Sequence, residues 1–455
     1  MEFIIPTIKG GDGMVKPQEV LSTLRKHILV DGFPIVIDME KSLGSRIIDA
    51  QDGSEWLDFY TFFASSPLGI NHPKLANDEF KDRIFRAAIN KVANSDIYTV
   101  EMADFVKTFM ETAAPEGFNH LFIIDYGTLA IENALKVAMD WKVRKNIAKG
   151  YTESAEKGTK VIHFKDAFHG RSGYTLTLTN TADPRKYKYF TKFPDWPRIT
   201  NPKIIWPLED HLEEVEKAEK EAIGQIKEAI KDGADDFCAI IIETIQGEGG
   251  DNHFRTEFFQ QLRTICDEND IMLIFDEVQC GMGITGKMWA WQHHGVKPDI
   301  FAFGKKAQVC GILAGSRVDE VENNCFVESS RINSTWGGNI CDMVRSTRIL
   351  EIMQEDNILD YVNEIAPVLH KHLHALQAEF PELISNVRYK GLMAAFTLPT
   401  PELRDKFNSL CFEEKLLLLP SGTNSIRFRP ILNVARKDLD EGYEKMRAAL
   451  KKMMA

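Results

Sequence analysis

The chain has 455 residues, 44% of them hydrophobic, with Lys+Arg 55 against Asp+Glu 67 and a net charge of −12. That length predicts two or three domains around a large core, and an acidic chain with no basic block argues against nucleic acid as the main partner. No apolar run approaches the roughly 20 residues of a membrane span, and Met1-Glu2-Phe3-Ile4-Ile5-Pro6 lacks the basic start and apolar centre of a secretory leader.

Seven scattered cysteines with no Cys-x-x-Cys pair predict a reduced, cytoplasmic protein with no structural disulfide and no metal site. Cys280 and Cys310 flank the chemistry described below and are read as packing residues.

In chain order, the first strand expected is Leu121–Ile124, followed by a helix through Ala130–Lys136. Further apolar strands are expected at Lys160–Phe164, Ala239–Ile242, Met272–Phe275 and Ile300–Phe303. The charged stretch from Leu208 to Lys231 spaces its apolar residues for an amphipathic helix. Apolar strands separated by helices predict parallel β-α-β units covered on both faces. The region 65–335 therefore reads as one large α/β domain. A helix over Val344–Gln354 leads into a smaller α+β domain, 336–455, with strands at Leu392–Thr397, Leu416–Leu419 and Ser425–Phe428. Residues 1–64 are expected to pack with this small domain.

Lys305 follows the strand Ile300–Phe303 and a glycine, 29 positions after Asp276, which ends the strand from Ile271. A lysine amine condenses with an aldehyde, and a buried carboxylate keeps a pyridinium nitrogen protonated. Those are the two contacts that make pyridoxal phosphate an electron sink. Tyr126-Gly127-Thr128 is a small-residue turn opening a helix, where free N–H groups and the helix dipole suit a phosphate. Phe168 is an aromatic ring able to stack on a flat heterocycle, and Arg171 is a fork for a carboxylate. Glu243 ends a strand before the Gly-rich loop Gly247-Glu248-Gly249-Gly250. Asn333 and Thr335 lie in a polar loop, and alternation puts Arg427 and Arg429 on the same side of one strand.

Taken together, Gly127-Thr128, Glu243-Thr244-Ile245-Gln246-Gly247-Glu248-Gly249-Gly250, Asp276-Glu277-Val278-Gln279 and Lys305 resemble the class III (ornithine/4-aminobutyrate) aminotransferases, over about 58–430. The resemblance implies the α/β fold of fold type I pyridoxal-phosphate enzymes and a homodimer with shared active sites. It assigns the Schiff-base lysine to Lys305, with the neighbouring Lys306 as runner-up. Asp276 is assigned to the pyridinium, Gln279 to the phenolic oxygen, Phe168 and His169 to the cofactor ring, and Gly127 and Thr128 to the phosphate. Thr335 would reach the phosphate in the neighbouring subunit. Arg171 would clamp the distant carboxylate of the amine donor, Arg427 would bind the keto acid, Glu243 would neutralise Arg427 in the first half-reaction, and Asn333 would line the pocket.

The segments Ala167–Asn180, Asp195–Ile199 and Asn333–Asn339 narrow the expectation to ping-pong transfer of the ε-amino group of L-lysine to 2-oxoglutarate. The alternatives are a transaminase for other terminal amines, such as ornithine or 4-aminobutyrate, and a binding protein that keeps the fold without the chemistry. The chain departs from the family pattern at Tyr126 (usually Ser or Gly), Thr244 (Pro), Cys280 (Thr) and Ile431 (Pro).

Overall fold

The computed structural model describes residues 15–454; the first 14 residues of the expected N-terminal segment lie outside it. The strands are β1 (Arg46–Ile48), β2 (Glu55–Asp58), β3 (His120–Ile124), β4 (Lys160–Phe164), β5 (Arg198–Ile199), β6 (Phe237–Glu243) and β7 (Met272–Asp276). They continue with β8 (Ile300–Phe303), β9 (Cys310–Ala314), β10 (Ser385–Lys390), β11 (Met393–Thr397), β12 (Leu416–Leu417), β13 (Leu419–Ser421) and β14 (Ser425–Phe428).

Seven of them form one sheet in the order β3-β9-β8-β7-β6-β4-β5. Every residue of β6 and β7 is buried, as a parallel strand covered on both faces requires. The Gly127–Ala148 helix covers one face with Ala130, Ile131, Ala134, Leu135 and Ala138. The Thr256–Glu268 helix covers the other with Phe258, Phe259 and Leu262. The charged helix forms over Leu208–Ile230 and buries Val215, Ala222, Ile223, Ile226 and Ile230. Spacings of three and four put these on one face, and each of the valine and isoleucine side chains contributes about 1.5–3 kcal/mol of burial.

One strand of this sheet departs from the parallel expectation. β9 runs antiparallel to both β3 and β8. Its connection from β8 is only Gly304–Val309, too short for a crossover helix, so the chain must reverse. Lys305 sits in that reversal.

The C-terminal region holds a four-stranded antiparallel sheet, β10-β11-β14-β13. The single strand expected at Leu416–Leu419 is two. β12 pairs in parallel with β2, and β13 pairs with β14 in a different sheet. Strands β1 and β2 thereby share a sheet with the C-terminal part of the chain. Among the described residues, no helix is long and apolar enough to cross a membrane.

Candidate active site

Strands β3, β4, β6, β7 and β8 all end at one edge of the large sheet, where open α/β sheets place their ligand crevice. A cavity of about 740 Å³ opens there. It is lined by Gly127 and Thr128 after β3, Phe168 to Arg171 after β4, Glu243 at the end of β6 with Glu248 beyond it, Asp276 at the end of β7 with Gln279 beyond it, and Lys305 after β8. The sheet thus brings together residues spread over 179 positions of sequence.

Gly127 and Thr128 open the 22-residue Gly127–Ala148 helix, whose N-cap Tyr126 supplies no side-chain cap. The first N–H groups of a helix have no intrahelical acceptor, so they and the dipole face the cavity as an anion cradle. The Thr128 hydroxyl is fixed 2.7 Å from Ser172 Oγ and 2.8 Å from Thr175 Oγ1. Gly170 must be glycine: its φ is +127°, and a Cβ there would lie 2.2 Å from Thr128 Oγ1.

Asp276 is buried, and its Oδ2 lies 2.8 Å from His169 Nδ1. The His169 ring is itself fully enclosed, so this contact fixes the direction of the carboxylate. The Arg429 guanidinium, held by both oxygens of the buried Asp251, donates to Gln279 Oε1 at 2.9 Å. That leaves the Gln279 amide NH₂ without a partner among the described residues. The Lys305 amine faces the cavity, where burial, seconded by the Arg427 charge, pulls its pKa down to about 8. Lys306 does not line the cavity; its amine donates to Gln279 O at 2.6 Å and Ala64 O at 3.4 Å. An N–H cradle for an anion, a buried carboxylate, a free amide donor and a lysine amine around one space fit the pyridoxal phosphate read from the sequence.

The two glutamates differ from expectation. Glu243 does not meet Arg427. Its oxygens accept from the Phe168 N–H at 2.8 Å and the Gly247 N–H at 3.1 Å, which folds the loop back over the end of β6. Burial raises its pKa above the ordinary carboxylate range, with His169 opposing and Asp276 adding to the rise. The partner of Arg427 is Glu248, whose Oε2 accepts from Nη2 at 2.7 Å. The backbone explains the exchange: the Gly422 N–H donates to Glu248 O, and this tie carries Glu248 across to the β13–β14 hairpin. Burial acts to raise the Glu248 pKa, yet Arg427 and Lys186 bring it below the ordinary value.

Arg171 is exposed at the cavity and has no acidic partner among the described residues. Asn333 and Thr335 are exposed and lie outside this chain's cavity. Their loop is held elsewhere: Ser95 Oγ donates to Thr335 O and the Asn94 N–H to Trp336 O. Sequence reasoning placed Glu248 in the motif but gave it no role. It also passed over Ser172, Thr175 and Lys186, because none of these has a local signature.

Comparison with known proteins gives a consistent picture. The family model described as aminotransferase class-III matches residues 29–450. The L-lysine-epsilon aminotransferase of Mycobacterium tuberculosis is 46% identical over 451 residues, 99% of each chain. That of Amycolatopsis lactamdurans is 44% identical over 95% of this chain and 96% of its own length. A solved structure of lysine aminotransferase from M. tuberculosis superposes with a TM-score of 0.93 at 46% identity, covering 96% of this chain and all of that one. An omega transaminase from Pseudomonas jessenii, at 19% identity and a TM-score of 0.81, shares the fold, with 97% of this chain and 98% of that one covered. The chain belongs to the class III aminotransferases.

Proposed function

We propose that the chain transfers the ε-amino group of L-lysine to 2-oxoglutarate in a ping-pong cycle, giving 2-aminoadipate 6-semialdehyde and L-glutamate. The observation that carries this reading is the inequality of two arginines, one lining the cavity and one paired with a carboxylate that lines it. Arg171 lines the cavity with no acidic partner among the described residues, whereas Arg427 is buried behind the wall and neutralised by the lining Glu248. A donor with a terminal amine and a remote carboxylate suits the free arginine. A keto acid whose carboxylate adjoins the reacting carbon needs the paired one, and must displace Glu248 to reach it. The names and near full-length identity of the relatives support L-lysine as the amino donor.

The cofactor of this family, pyridoxal 5′-phosphate, would supply, when bound, the electron sink that acidifies the C–H adjoining the amino group. In our reading the Lys305 amine moves the proton, and its lowered pKa suits a group that must both accept and return it near neutral pH. Asp276, oriented by His169, would keep a proton on the ring nitrogen. The Gln279 NH₂ would donate to the phenolic oxygen, Phe168 would cover the ring, and Gly127 and Thr128 would hold the phosphate. Glu248 takes the neutralising role that the sequence reading gave to Glu243.

The protein is proposed to act as a homodimer. Ile97, Tyr98 and Val100 are each more than 70% exposed, and the exposed rings of Phe62, Phe63, Tyr126 and Trp336 add to the apolar surface. A second copy would cover such a surface and could supply Thr335 and Asn333 to the neighbouring cavity. The seven cysteines are all free thiols, which fits a cytoplasmic location.

The test is the visible spectrum of the cofactor-loaded protein with L-lysine and no keto acid. Loss of the yellow band, with trapping of the cyclic imine formed from the semialdehyde, is expected. A band unchanged by lysine but bleached by ornithine or 4-aminobutyrate would overturn the substrate assignment.

A further inference from the structure

Glu248 has two cations. Its Oε2 meets Arg427, and its Oε1 accepts from the Lys186 amine. The two partners come from distant parts of the chain: Arg427 from β14, and Lys186 from the short turn Pro184–Lys186 after the Gly173–Leu178 helix. They also differ in setting. The Arg427 side chain is 3% exposed, whereas those of Lys186 and Glu248 are both 22% exposed. The Lys186 amine lies 5.9 Å from the centre of the Phe168 ring, at the same cavity wall. Glu248 therefore spans from a buried cation to one nearer solvent.

This matters for the exchange that the two substrates require, and the inference rests on the roles just proposed for Glu248 and Arg427. When a keto-acid carboxylate takes Arg427, Glu248 must leave it. A mostly buried carboxylate abandoning its only cation would lose a charge-assisted hydrogen bond with nothing in return. Held at the other oxygen by Lys186, it turns about a retained contact and carries its charge toward solvent.

We infer that Lys186 is a positioning residue: it anchors Glu248 while Arg427 changes partners, and so sets the affinity for the dicarboxylate substrate without touching it. Removing the anchor leaves Glu248 to Arg427 alone, which closes the arginine to the keto acid. The lysine half-reaction keeps Glu248 on Arg427 throughout and does not need the anchor.

The experiment compares Lys186→Gln and Lys186→Arg, with Lys188→Gln as a control on the same exposed segment, in the loaded enzyme. Lys186→Gln is expected to raise KM for 2-oxoglutarate about tenfold, the loss of one such contact. KM for lysine and the single-turnover rate with lysine should stay within about twofold. Lys186→Arg should restore the keto-acid KM. Calorimetric binding of glutarate, an unreactive dicarboxylate, should weaken in parallel. In a Glu248→Gln background, Lys186→Gln should have no further effect, because Lys186 acts only through that carboxylate. A KM effect that persists in this background would mean that Lys186 binds substrate directly. Equal losses for both substrates would mean that it only holds its segment in place. Either result overturns the inference. If Glu248→Gln alone leaves the balance between lysine and 2-oxoglutarate unchanged, the underlying assignment of Glu248 fails instead.

Discussion

Thr244 stands where the family pattern has proline, and the structure gives its hydroxyl a task. It donates at 2.6 Å to Glu277, a fully buried carboxyl that also accepts from the Ala290 and Trp291 N–H groups at 2.8 and 2.9 Å. Burial pushes the Glu277 pKa up from 4.5 to about 7, against these three donors. Between those two values the folded chain holds a proton that the unfolded chain has released. The stabilisation is therefore fully present below about pH 4.5 and is lost as pH rises through about 7. Its full size is roughly 3 kcal/mol. The melting temperature of Glu277→Gln should thus climb relative to wild type between pH 5 and pH 8, because the amide never becomes a buried charge. A difference that does not vary with pH would show that Glu277 does not titrate in that window. At this scale Lys305 and Asp276 were legible, because each ends a strand of unmistakable apolar pattern at a telling separation. Glu248 was not, since both glutamates fit the motif and only a contact with β14, 179 residues away, separates them.

Among the elements, the strands buried on both faces could be read from their apolar runs, whereas the direction of β9 could not. Cys310–Ala314 holds a glycine at its second position and an alanine at its end, which weakens the strand signal, and the reversal before it contains no proline. The glycine is a requirement of packing. A Cβ at Gly311 would lie 2.2 Å from the Phe122 carbonyl oxygen of β3 and 2.8 Å from the Phe303 ring of β8. Gly311→Ala must therefore push apart strands that pair with β9 on both sides. Overpacking of this kind costs about 1–3 kcal/mol, and here it bears on the turn carrying Lys305, whose φ is +49°. The expected result is a lower urea midpoint together with weaker cofactor retention, followed by absorbance after dialysis. Unchanged retention would show that the Lys305 turn is held independently of β9. Its other supports are visible: Gln308 donates to Ser65 O and Lys306 to Ala64 O. These two contacts tie the turn to the end of Thr61–Ala64, four successive non-glycine residues at positive φ, and to the residue that follows it. A left-handed run costs roughly 1–2 kcal/mol per residue and has no composition signal that a reader of the sequence could use.

For the whole molecule, the chain's own cavity is open on the side where Tyr126 is exposed, and two residues that the family resemblance assigns to the site face elsewhere. The proposed dimer accounts for both if each copy lends its Asn333–Asn339 loop to the other. Complementation tests this without relying on mass alone. Lys305→Ala removes the reacting amine from its own cavity, and Thr335→Ala would damage only the cavity of the partner. When the two variants are unfolded and refolded together, half the dimers are mixed. One site of each mixed dimer then carries both lesions, and the other carries neither. Activity should recover to about a quarter of wild type, since a two-fold dimer has two equivalent sites. If Thr335 serves its own chain, every site in every mixture keeps one lesion, and the activity stays at the average of the two parents. The same mixture at high dilution should lose its recovered activity as the dimers dissociate, which ties the recovery to the interface.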